Sequence, residues 1–132
     1  MRVVLDTNVL VSGIYFAGVP GDVLEAWRQG RIGFVVTAAN LDEYDRVASD
    51  FGLRHGFTRA DEVLAAIATS ASMVEEPPPG EPITRDPDDD KFIRCAAARR
   101  AAVVSGDNDL LAVDGRHGVR VLTPRQILDL LP

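Results

Sequence analysis

The chain of 132 residues is 46% apolar and 26% charged, the balance of one folded, water-soluble domain with a single core, here residues 1–132. Its one cysteine, Cys95, excludes a disulfide framework and suits a reduced, buried thiol in the cytoplasm. No apolar stretch nears the ~20 residues that span a bilayer, no secretory signal opens the chain, and the net charge of −6 argues at first against a phosphate-bearing partner.

In chain order, residues 2–6 read as a strand, a continuous apolar run that stops at Asp6 and suits burial on both faces. "YFAGVPG" is a loop, and "DVLEAWRQG" a helix ended by Gly30. "GFVVT" is a second strand, followed by a helix over "AANLDEYDRVASD" with Leu41, Tyr44 and Ala48 on one face. Residues 59–72 form another amphipathic helix and "MVEE" a short strand. "PPPGEPITRDP" is too rich in proline for regular structure. Asp88 or Asp89 then opens the helix "DKFIRCAAARR", with acids suited to its N-cap and first turn. "AAVVS" and "GVRVL" are the fourth and fifth strands, and Thr123–Pro124 starts the last helix. Strands alternating with helices predict an α/β fold, a parallel sheet of about five strands with helices on both sides.

In such sheets ligands bind at the carboxyl ends of the strands. Asp6 ends strand one, and Asp107 lies just beyond strand four. Glu43 is on the helix after strand two, and Asp89 opens the helix leading into strand four. The acids are clustered in sequence too, with Asp86, Asp88, Asp89 and Asp90 in one run and Asp107 and Asp109 in another. Setting Asp6, Glu43 and those six aside turns the net charge from −6 to +2, so the acidity does not exclude a phosphate-bearing substrate. Gathered carboxylates raise one another's pKa. A hard divalent cation, Mg²⁺ or Mn²⁺, is the natural compensation for an all-oxygen set. At least two of the four clustered aspartates are expected to cap or hold a loop, and one of Asp107 and Asp109 to cap "NDLL". His55 and His117 lack ligand spacing and read as surface residues. Tyr15, Phe16 and Trp27 suit a groove, a dimer surface or the core.

"VVLDTNVLVSG", "TAANLDEYDRV", "DPDDDKFIRCAAARRAAVVSGDNDLL" and "VRVLTPRQIL" together resemble the PIN-domain family from end to end, in its toxin branch, relatives of the VapC toxins of type II toxin–antitoxin pairs. The resemblance implies a three-layer α/β/α fold and a Mg²⁺- or Mn²⁺-dependent ribonuclease. Its acids would be Asp6, Glu43, Asp89 and Asp107, with Asp6, Asp89 and Asp107 holding the ion. In that family the third acid commonly precedes the fourth by about eighteen residues; here Asp89 stands 18 and Asp90 17 before Asp107, which favours Asp89 and keeps Asp90 as the alternative. Thr7, Asn8 and Ser105 match positions that orient the acids, and Asp109 is a further alternative acid. An RNA substrate, an antitoxin partner, a homodimer and a cytoplasmic location are implied with them. A PIN-fold module that binds RNA or a partner without cleaving is the alternative. A Mg²⁺-dependent phosphatase fits less well, since Asn8 stands where it would need a second aspartate.

Overall fold

The computed structural model describes residues 1–57 and 60–132. Five parallel strands make one sheet in the order β3-β2-β1-β4-β5. They are β1 (Arg2–Leu5), β2 (Gly33–Val36), β3 (Ser72–Met73), β4 (Ala102–Val104) and β5 (Val121–Leu122). Val3, Val4, Val35, Val36, Val103 and Val104 are fully buried, because helices cover both faces and leave no solvent side to the central strands. Helices α1 (Thr7–Tyr15) and α2 (Val19–Arg28) connect β1 to β2. Helices α3 (Ala38–His55) and α4 (Ala60–Ser70) connect β2 to β3, and α5 (Asp90–Arg99) leads into β4. The short α6 (Asn108–Leu111) precedes β5, and α7 (Pro124–Leu130) follows it. Helix α1 packs on α2 and α3, α3 on α4, and α2 on α7, while α5 packs on β1, β2 and β4. Parallel strands joined through helices, whose crossovers are right-handed as a rule, give the expected three-layer α/β/α arrangement.

The strand order places the site. From β1 the chain steps outward to β2 and β3, then returns to the other side of β1 to add β4 and β5. The order therefore reverses between β1 and β4, where an open parallel sheet leaves a crevice at its carboxyl edge. Leu5 pairs with Val104, and the Asp6 N–H donates to the Val104 carbonyl at 3.0 Å. Asp6 and Ser105 are thus the first residues beyond two adjacent strands.

Several boundaries differ from the sequence reading. The expected loop over 15–21 shrinks to three residues between α1 and α2, and α1 itself was not foreseen. Val9, Val11, Gly13 and Ile14 have weak helix propensity; burial of Val9, Leu10, Val11 and Ile14 overrides it. Helix α3 runs on to His55 and stops at Gly56, at φ 73°, a conformation glycine adopts without strain. β3 and β5 are shorter than expected, a 3₁₀ turn at Arg116–Gly118 taking the start of the latter. Arg59, the expected first residue of the helix over 59–72, lies outside the described residues. Helix α7 begins as expected: the Thr123 hydroxyl accepts from the Gln126 N–H, and the Gln126 side chain accepts from the Thr123 N–H. Among the described residues, no single helix is long and apolar enough to cross a membrane.

Gly13 lets α1 and α2 approach. A Cβ there would lie 2.8 Å from the Pro20 carbonyl oxygen and 2.9 Å from a Leu24 methyl. Gly13→Ala gains about 1 kcal/mol of helix propensity but must push backbone aside, a change costing about 1–3 kcal/mol. A net loss, read as a lower urea midpoint, is expected.

Candidate functional site

Asp6 is buried at the head of α1, where its Oδ1 accepts weakly from the Asn8 N–H at 3.4 Å. The Ser105 hydroxyl donates to Oδ2 at 2.7 Å, and the Ser105 Oγ accepts from the Asp107 N–H at 2.9 Å. One serine thereby ties the end of β1 to the loop after β4. Burial raises the Asp6 pKa, the bonds from Ser105 and Asn8 offset part of that, and the charges of Asp107 and Glu43 raise it further.

The four clustered aspartates have different surroundings. Asp86 caps a 3₁₀ turn over Pro87–Asp89, accepting from the Asp88 N–H at 3.0 Å. Asp88 is exposed. Asp90 is buried and turned toward the proline-rich segment. Its Oδ1 accepts from the Thr84 N–H at 2.8 Å, with the Thr84 hydroxyl 2.7 Å away, and its Oδ2 accepts from the Ile83 N–H at 3.1 Å. Burial alone would raise the Asp90 carboxyl, but these bonds and the Arg94 guanidinium hold it below the usual range. Asp89 occupies the N-cap position of α5 without making a capping bond. Its carboxyl meets that of Asp107 instead. Burial, then the charges of Asp6, Asp86 and Asp107, then the contact with Asp107 push it up to about 7. Asp107 caps α6 as well, accepting from the Asp109 N–H at 3.3 Å. Capping and membership of the acidic group therefore fall on one residue, where the sequence suggested dividing them between Asp107 and Asp109.

Glu43 stands apart from these acids in its partners. The Thr7 hydroxyl donates to its Oε2, and the Lys91 ammonium donates to its Oε1 at 2.6 Å and to the Asp88 carbonyl at 2.8 Å. Sequence reasoning missed this pair, and it corrects the idea that a metal alone would balance the acids. The residues are 48 apart in the chain, and no local spacing joins them. One signal was present: Lys91 is the only lysine, set beside the aspartate run.

A cleft of about 350 Å³ opens on this edge of the sheet, lined by Asp6, Asn8, Ser12, Pro20, Asp107 and Pro124 among others. A larger hollow of about 520 Å³ lies under the proline-rich segment against α5, with Pro77, Ile83 and Ile93 in its wall. It contains none of the gathered acids, whereas the smaller cleft includes Asp6 and Asp107. The aromatic residues divide between surface and packing. Tyr15 stacks on Phe51 and donates to the Ala48 carbonyl at 2.8 Å, and Trp27 stacks on Phe34. Phe16 is exposed.

Hard cations take carboxylate oxygens, and the Asp6, Asp89 and Asp107 set fits one chemically. Burial, with neighbouring negative charge added to it, raises the carboxyls of Asp6 and Asp89. Among the described residues, however, no three histidine, cysteine or acidic side chains are gathered closely enough to hold one ion as they stand.

A sheet with this reversal and this acidic edge defines a class. Residues 2–109 match the family model described as PIN domain, and the chain belongs to that family. It is 26% identical over 140 residues to the uncharacterized protein MJ1680 of Methanocaldococcus jannaschii, covering 98% of this chain and 90% of that one. In structure it is similar to a chain of VapBC2 from Rickettsia felis, solved bound to a DNA fragment from the VapBC2 promoter. The TM-score is 0.60 at 12% identity, over 93% of this chain and 98% of that chain.

Proposed function

We propose that this protein is a metal-dependent endoribonuclease, the toxin of a type II toxin–antitoxin pair. The observation that carries the reading is the acidic group at the strand-order reversal, where burial first, and neighbouring charge after it, hold Asp6 and Asp89 above the usual carboxylate range. Asp6, Asp89 and Asp107 would hold Mg²⁺ or Mn²⁺. When bound, such an ion draws off charge from the scissile phosphate and acidifies a water at neutral pH. The chain's own residues supply placement. Ser105 fixes Asp6 by one oxygen and leaves Oδ1 only weakly engaged. Thr7 and Lys91 hold Glu43 beside the group. The fold shared with a VapBC2 chain supports an antitoxin as partner. The nucleic acid named with that complex is DNA, so RNA comes from the family resemblance.

The test uses labelled single-stranded RNA with Mg²⁺, with Mn²⁺ and with chelator, beside Asp6→Asn. Cleavage should need metal and fall at least about a hundredfold in the variant, since ion-assisted charge stabilisation is worth several kcal/mol. Cleavage that survives chelator, or that the variant retains, overturns the reading.

A second reading has its own observation. The aspartates as they stand form no three-ligand group among the described residues, and Glu43 is already paired with Lys91. Those two facts favour a PIN-fold module that binds RNA or a partner without cutting. Retention of RNA in a filter-binding assay, with no cleavage under either metal, would support it.

A further inference from the structure

We propose that Lys91 is a positioning residue of this site, holding Glu43 beside the acidic group and withholding it from any cation gathered by the aspartates. The second half rests on the metal-binding reading above; the first does not.

Lys91 lies in the first turn of α5, where the helix dipole disfavours a cation. A local partner must offset that placement, and the structure supplies two. The ammonium is 2.6 Å from Glu43 Oε1 and 2.8 Å from the Asp88 carbonyl. Lys91 and Glu43 side chains are only 24% and 20% exposed, so water screens the pair less than a surface ion pair. Among the described residues, the other cation paired with Glu43, Arg46, reaches the same oxygen only at 4.0 Å from a side chain 73% exposed. Thr7 occupies the remaining oxygen, Oε2. Both oxygens of Glu43 are therefore engaged by the chain itself, while Asp89 and Asp107 engage each other. Four acids near one edge thus divide into a neutralised one and three that are not. A cation arriving at the aspartates meets an anchored, charge-balanced glutamate.

The experiment is a double-mutant cycle on the whole protein without metal, using Lys91→Met, Glu43→Gln and both together. Methionine keeps most of the lysine stem, so lost packing contributes little. Denaturant unfolding should show the two changes coupled by about tenfold in the unfolding equilibrium, with Lys91→Arg retaining much of the wild-type stability. Independent effects of the two single changes would overturn the proposal. Mn²⁺ titration followed by electron paramagnetic resonance is the second readout. Lys91→Met should bind Mn²⁺ several-fold more tightly than wild type, because the freed Glu43 can join the ligands, and the double variant should lose that gain. An equal gain in the double variant would show that lost positive charge alone raises affinity, and would overturn the withholding role. If unfolding shows the coupling but no variant binds Mn²⁺, Lys91 still positions Glu43, and it is the metal-dependent reading that fails.

Discussion

Asp90→Ala is expected to destabilise the protein by about 2–5 kcal/mol. The carboxylate is a clasp for the proline-rich segment, accepting from the backbone N–H groups of Ile83 and Thr84 and standing 2.7 Å from the Thr84 hydroxyl. Alanine leaves two N–H groups without a partner in a region where Thr84 is itself buried. Each such group costs about 1–3 kcal/mol. The pH dependence has a definite sign. The Asp90 carboxyl is held below its ordinary value in the folded chain, so its contribution is fully present above the unfolded pKa of about 4. It is lost as the pH falls below that, through the folded value. Urea unfolding of wild type and variant at pH 7 and at pH 3 measures both. The gap should be widest at pH 7 and narrower at pH 3; equal midpoints at pH 7 would remove the clasp.

Asp89→Asn should do the opposite and raise the melting temperature at pH 8. The folded carboxyl, pushed up to about 7 by burial and the charges of Asp6, Asp86 and Asp107, lies well above its unfolded value. Between about pH 4 and pH 7 the folded chain binds a proton that the unfolded chain has released, so stability falls as pH rises through that window. Above it the full penalty of an ionised Asp89 remains. Asparagine cannot ionise and escapes the penalty. The gain in melting temperature should therefore be largest near pH 8 and close near pH 4. A variant that melts with wild type at both values would mean that Asp89 stands in no unfavourable field. Under the proposed function the same substitution removes an ion ligand, so stability gained and activity lost would appear together.

These neighbouring residues show where the sequence was legible. The alternation of strands and helices was readable because burial on both faces leaves apolar runs such as Val3–Leu5. The convergence of Asp6 and Asp107 followed from the ends of two strands that the topology makes adjacent. Asp89 and Asp90 are chemically identical in sequence, and only the direction of each side chain separates them. Asp90 faces Thr84 and Asp89 faces Asp107; that direction is set by how the proline-rich segment folds back, and the eighteen residues between Asp89 and Asp107 favoured Asp89 only through the family resemblance. Helix α1 was missed for another reason. Its β-branched residues and Gly13 resist helix locally, and its stability comes from packing on α2 and α3. The Lys91–Glu43 pair was hidden because it joins α5 to α3.

The bond between Ser105 and Asp6 spans 99 residues, and this has a consequence for the order of events during synthesis. A ribosome delivers Asp6 first, Glu43 next and Lys91 with Asp89 well after. Ser105 and Asp107 come last, because β4 is inserted beside β1 from the far end of the chain. Such long-range pairing is slow to form. Until β4 is in place, Asp6 has neither its serine nor the neighbouring aspartates, and the cleft has only one wall. An emerging chain therefore lacks the gathered carboxylates until Ser105 and Asp107 have been added. The acidic group is assembled only once β4 lies beside β1.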